Sequence, residues 1–81
     1  MYYTMADMKP GQIGYVTMIK CKNDIKRRLM DMGLIEKTKI ECVMESPQGD
    51  PVAYKIRNTL VAIRKIDAKE IYIDVESEEY K

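Results

Sequence analysis

Arg27-Arg28-Leu29-Met30-Asp31-Met32-Gly33-Leu34 is the stretch on which the reading of this 81-residue chain turns. Ile25, Leu29 and Met32 are spaced i, i+4, i+7 and so share one face of a helix. Gly33 stands where a helix ends on a left-handed residue, a conformation cheap only for glycine. Upstream, Asn23 reads as the N-cap and Asp24 as an acid in the electropositive first turn. The spacing predicts a helix over 24–32, too short to persist without docking on a sheet.

Around that helix the chain reads as short strands. Met1–Ala6 is an apolar, extended lead-in, and Asp7-Met8-Lys9-Pro10-Gly11 is a turn. Ile13–Lys20 is the first strand, with Val16 and Met18 on one face. In Thr38–Glu45, Ile40, Cys42 and Met44 alternate with Lys39, Glu41 and Glu45, and Val43 breaks the pattern. Ser46-Pro47-Gln48-Gly49-Asp50-Pro51 interrupts. Val52–Arg57 then places Val52, Tyr54 and Ile56 together, Asn58-Thr59 reads as a two-residue hairpin turn, and Leu60–Lys65 returns. Leu60 and Ala62 share one face of that strand, Val61 and Ile63 the other. Asp67-Ala68-Lys69-Glu70 makes one helical turn before a last strand carrying Ile71, Ile73 and Val75. The fold expected is mainly β: a small SH3-like five-stranded barrel with one short α-helix inserted after the first strand. One domain covers residues 1–75, and the acidic tail 76–81 is expected to fray into solvent.

Composition narrows the chemistry. Charged residues are 33% and hydrophobic residues 46%, the profile of a folded domain. The chain has no His, which removes the commonest general base and the commonest transition-metal ligand. No glycine-rich phosphate loop and no nucleophile elbow is found, so the reading is not an enzyme. Cys21 and Cys42 fit no zinc spacing and are read as free thiols of a cytoplasmic protein. No metal site and no cofactor is expected. Nothing approaches a membrane span.

The formal net charge is +1, but residues 1–73 carry 13 bases against 9 acids. Lys20, Lys22, Lys26, Arg27 and Arg28 cluster around the helix, opposed by Asp24 alone. Such a run can contact phosphate, an acidic partner or anionic lipid, or simply be a solvated face. It lacks interleaved aromatics, so nucleic acid is not expected. Asp31 sits against the helix dipole unless Arg27 or Arg28 pairs with it. Met30 falls off the apolar stripe and is expected to be exposed; Leu34 and Ile35 would extend its patch.

These segments together resemble the FeoA family. Asp7-Met8-Lys9-Pro10-Gly11-Gln12 matches the family's entry turn, and Arg27–Leu34 its helix and glycine stop. Ser46–Pro51 matches its Pro-x-Gly-Asp-Pro loop, and Leu60–Lys65 with Asp67-Ala68 its fourth strand and following turn. The match spans about residues 4–75. Two departures are visible: Glu36-Lys37 replaces the usual Pro-Gly, and Asn58 replaces a hairpin glycine. The resemblance implies an SH3-like cytosolic accessory protein of ferrous iron uptake that binds and modulates the FeoB-type GTPase transporter. Docking would be on the transporter's cytosolic G-protein region, and membrane association only through that partner. The partner-binding residues would be Arg27, Arg28, Met30, Asp31, Met32, Gly33 and Leu34. The alternative is a metal-responsive regulatory SH3-like module, related to the C-terminal domain of iron-dependent repressors similar to DtxR, although no helix-turn-helix portion is present.

Overall fold

The computed structural model describes residues 3–75. Six strands form one antiparallel sheet: β1 (Tyr3–Thr4), β2 (Ile13–Ile19), β3 (Lys39–Glu45), β4 (Val52–Ile56), β5 (Thr59–Ile63) and β6 (Ile71–Val75). Their order is β1-β6-β2-β3-β4-β5. Two helices interrupt them, α1 (Asn23–Asp31) between β2 and β3 and α2 (Lys65–Ala68) between β5 and β6. The expected count of five strands is therefore corrected to six. The extra strand is part of the lead-in: Tyr3 pairs with Ile73 and Thr4 with Tyr72, which places α1 after the second strand. Two residues are too few for an alternation to show in sequence. The 76–81 tail lies outside the described residues.

The lead-in then leaves its extended path. Met5–Asp7 forms a 3₁₀ turn, with the Asp7 carboxylate accepting hydrogen bonds from Thr4 N at 3.0 Å and Thr4 Oγ1 at 3.2 Å. This turn puts Met5, wholly buried, into the core. The core is one cluster: Met5 and Ile73 at one end of the sheet order share it with Val61 and Ile63 of β5 at the other. The sheet therefore wraps around its apolar residues. Tyr54 spans that interior, and its hydroxyl donates to Met5 O at 2.9 Å. Burial pushes the Tyr54 phenol well above its ordinary value of 10.0, with smaller contributions from Cys42 and Glu45. Above pH 10 the unfolded chain therefore gives up the Tyr54 proton while the fold retains it, and stability falls as pH rises. Tyr54→Phe leaves a tie across the core unmade and is expected to cost about 1–2 kcal/mol by equilibrium denaturation.

Two bulges correct the alternation read from sequence. The β2–β6 register shifts between Val16 and Met18, and the β3–β4 register shifts between Cys42 and Met44. Each extra residue reverses the facing beyond it. Val16 and Ile19 are buried while Met18 is 47% exposed, and Ile40 and Cys42 are buried while Met44 is 55% exposed. Val43, out of pattern in the sequence, is the residue inserted at the second bulge.

Three further boundaries move. The β4–β5 hairpin turns on Arg57-Asn58, both at positive φ (50° and 69°), with Ile56 paired to Thr59. That is the geometry of a two-residue hairpin with both central residues left-handed, one position earlier than expected. Asn58 tolerates this left-handed conformation better than most residues other than glycine. α2 begins at Lys65 instead of Asp67, because the Asp50 carboxylate accepts from Lys65 N at 2.9 Å and fixes the chain there. Asn23 is the first helical residue of α1, not its cap; Lys22 holds the cap position without a side-chain bond.

Glu36-Lys37 also has a definite shape. Lys37 takes φ 72°, and its N–H donates to Val16 O at 2.6 Å. A left-handed backbone, cheap only for glycine, is met here by a lysine under strain. Lys37→Gly is expected to raise stability by about 0.5–1 kcal/mol, the relieved strain being partly offset by glycine's greater unfolded entropy. Thermal denaturation of the two chains measures it.

Candidate partner-docking site

The end of α1 is tied by a complete Schellman motif. Gly33 N donates to Met30 O and Leu34 N to Leu29 O, each at 2.9 Å. Gly33 takes φ 96° as the reversal requires. Leu34 and Leu29 both belong to the core cluster, which supplies the apolar contact such a motif commonly carries. Leu29 is the one residue of α1 counted as buried, so the helix is held mainly through its C-terminal end.

That end has a second anchor which the sequence did not reveal. Gly33 O accepts from Arg57 Nε at 2.9 Å and from Thr38 Oγ1 at 3.2 Å. Thr38 Oγ1 in turn accepts from Ile35 N at 3.0 Å. The Arg57 side chain lies against Gly33 so closely that a Cβ there would stand 2.5 Å from Arg57 Cδ. A contact 24 residues distant, made by a turn residue, has no periodicity by which to be found.

The sequence-predicted residues divide. Arg27, Arg28, Met30, Asp31 and Met32 are all exposed on α1 and its C-cap. Met30 is 46% exposed, as expected, and Met32 39% and Ile35 41%. Met32 thereby leaves the docking stripe assigned to it, because the Gly33 reversal brings Leu34 beneath Leu29 in its place. Leu34 is fully buried and is corrected from a contact residue to an internal anchor. Gly33 is half-buried under Arg57. The alternative in which Arg27 or Arg28 pairs with Asp31 is not formed; among the described residues the one ion pair is Arg64 Nε–Asp67 Oδ2 at 3.6 Å. The result is a helix end that exposes Met30, Met32 and Ile35, with Met30 and Met32 on different sides of it and Arg27 and Arg28 exposed on the same helix. Beside it, Ile25, Arg28 and Met32 face Ala62 and Arg64 across an open groove of about 280 Å³.

The thiols stand apart from this surface. Cys42 is enclosed and directed at Met8 O (3.8 Å), whereas Cys21 is directed at Asp67 O (3.6 Å). Burial first, then nearby carboxylates, pushes both thiols above the ordinary cysteine range, so both are protonated at neutral pH. Among the described residues no three His, Cys, Asp or Glu side chains converge as metal ligands.

The FeoA domain family model matches residues 3–75. The chain belongs to the FeoA family. FeoA from Chlorobium tepidum, solved by solution NMR, shares 27% identity and superposes with TM-score 0.89, covering 93% of this chain and 71% of that one. FeoA from Stenotrophomonas maltophilia, crystallised in complex with zinc and described as a procaryotic SH3 domain protein, shares 25% identity at TM-score 0.78, with 89% of each chain covered. The mainly β, SH3-like architecture is thus shared with FeoA structures. The fold likeness extends to a manganese-dependent transcriptional repressor at 13% identity and TM-score 0.84, which shows the common fold alone. A curated relative is the Fe(2+) transport protein A/Fe(2+) transporter FeoB fusion protein of Porphyromonas gingivalis. It is 25% identical over 71 residues, which are 88% of this chain and 8% of that protein. No helix among the described residues is long and apolar enough to cross a membrane.

Proposed function

We propose that this FeoA chain is a cytosolic accessory domain of ferrous iron uptake that docks on the G-protein region of a FeoB-type transporter and modulates its GTP-driven transport. The observation that carries this is the Porphyromonas gingivalis relative, in which a FeoA part and FeoB are one polypeptide. Covalent linkage raises the effective concentration of two modules that work together, and separate chains need a surface to replace it. The outer face of α1 offers one. Met30 on that face, and Met32 and Ile35 at the end of the helix, supply apolar contact at a geometry fixed by Gly33, Leu34 and Arg57. Arg27 and Arg28 steer the approach of an acidic partner.

Titration of the purified domain against the transporter's cytosolic region tests the reading. Met30→Asp is expected to weaken binding by about tenfold or more, since it sets a charge into the apolar contact. Arg28→Glu is expected to slow association and flatten its salt dependence. Equal binding by both variants, each shown to be folded, would remove α1 from the interface.

A further inference from the structure

A second, separate surface lies on the outer face of β3 and β4. Lys37, Lys39, Lys55 and Arg57 line an open groove of about 380 Å³ with Glu41 and Asn58. Four bases face one acid there, although the whole chain carries a formal net charge of only +1. The bases are exposed because their neighbours in sequence point inward: Ile40, Tyr54 and Ile56 are each 0% exposed. Glu41 stands directly across the ladder from Lys55, yet no ion pair joins them. Among the described residues Lys37, Lys39 and Lys55 have no carboxylate within salt-bridge reach. Arg57 is exposed and is held through Nε by Gly33 O, and it has no carboxylate within salt-bridge reach among the described residues.

The chemistry of the groove selects among anions. It is lined by no aromatic ring on which a base would stack. It contains no helix N-terminus of the kind that cradles a phosphate. Three of its four cations are lysines, point charges that do not require the planar fork of a bidentate site. Lys39 stands diagonal to Lys55 across the β3–β4 ladder, about 7–8 Å away, which is close to the interval of about 7 Å between alternate side chains of an extended peptide. Leu60, opposite Lys55 on β5 and 64% exposed, adds an apolar contact beside them. We propose that this groove is a second docking surface, which takes an extended acidic peptide segment of a partner protein, with carboxylates on alternate residues.

The probe is a fluorescein-labelled peptide of about twelve residues alternating Glu and Ser, titrated with the full chain at low salt. Anisotropy is expected to show saturable binding that weakens at least tenfold as salt rises from about 50 to 300 mM, because exposed charges become screened. The Lys39→Glu/Lys55→Glu double variant is expected to bind at least about tenfold more weakly, and the matching Gln-Ser peptide not at all. Arg57 is left intact, so the α1 anchor is preserved. Amide shift mapping on the unaltered chain is expected to centre on Lys37, Lys39, Lys55 and Asn58. No binding at millimolar peptide, unchanged binding by a folded double variant, or shifts centred elsewhere would overturn the proposal. Tighter binding of an oligothymidylate or of phosphatidylserine vesicles at the same salt would overturn it too, by reassigning the groove to nucleic acid or lipid. The transporter is not a component of these measurements, so their failure and that of α1 docking are separable.

Discussion

Leu34→Ala is expected to lower stability by about 2–5 kcal/mol, the range for emptying a buried leucine site. Leu34 is wholly buried and is the residue that turns inward immediately after α1. Its side chain and Leu29 are the apolar part of the helix stop, so truncation leaves a cavity beside the one buried residue of α1. A domain of 81 residues hides roughly 60–65% of its unfolded surface, less than larger domains do, and has little margin, so this single change brings it close to unfolding. Denaturant unfolding measures the loss. Leu34→Met keeps the volume and is expected to cost below about 1.5 kcal/mol. Equal effects of the two substitutions would show that Leu34 is not held in a packed core.

Gly33→Val is expected to cost about 2–3 kcal/mol, from left-handed backbone strain and a lost hydrogen bond. Gly33 takes φ 96°, which a β-branched residue resists. A Cβ would also fall 2.5 Å from Arg57 Cδ and 2.9 Å from Arg57 Nε. The arginine side chain can swing aside, so the collision costs little by itself, but moving it breaks the Arg57 Nε–Gly33 O bond. The exit angle of α1 is then set neither by the glycine nor by the arginine. Partner binding is expected to fall further than stability does, and Arg57→Ala is expected to reproduce part of that binding loss without the backbone strain. Wild-type affinity of a folded Gly33→Val protein would show that the angle of α1 does not matter to docking.

Legibility of the fold from sequence followed how local the determining interactions are. Gly33 as a helix stop, the inward trio Val52, Tyr54 and Ile56, and the exposure of Met30 are set by neighbours within one or two turns or one strand, and each was readable. The facing of Met18 and Met44 was not, because a bulge depends on what the adjacent strand leaves unpaired. β1 escaped for the same reason: Tyr3 and Thr4 are a strand only because β6 is beside them. In the docking region, Leu34 was misjudged by its position after the helix. The reversal at Gly33 that made the stop recognisable also carries the next side chain inward.

From its sequence alone this protein was determined to be a short amphipathic helix closed by glycine among alternating strands, with basic residues gathered near that helix. Periodicity, turn chemistry and charge are properties of adjacent residues, and these need no partner from elsewhere in the chain. Only the tertiary structure decided that Arg57 and Thr38 hold the end of α1, that Tyr54 ties β4 to Met5, and that four bases from β3, β4 and their flanking turns line one groove. Each is a meeting of segments distant in sequence. It exists because the sheet must wrap to bury one core, and that wrapping selects which surfaces come together.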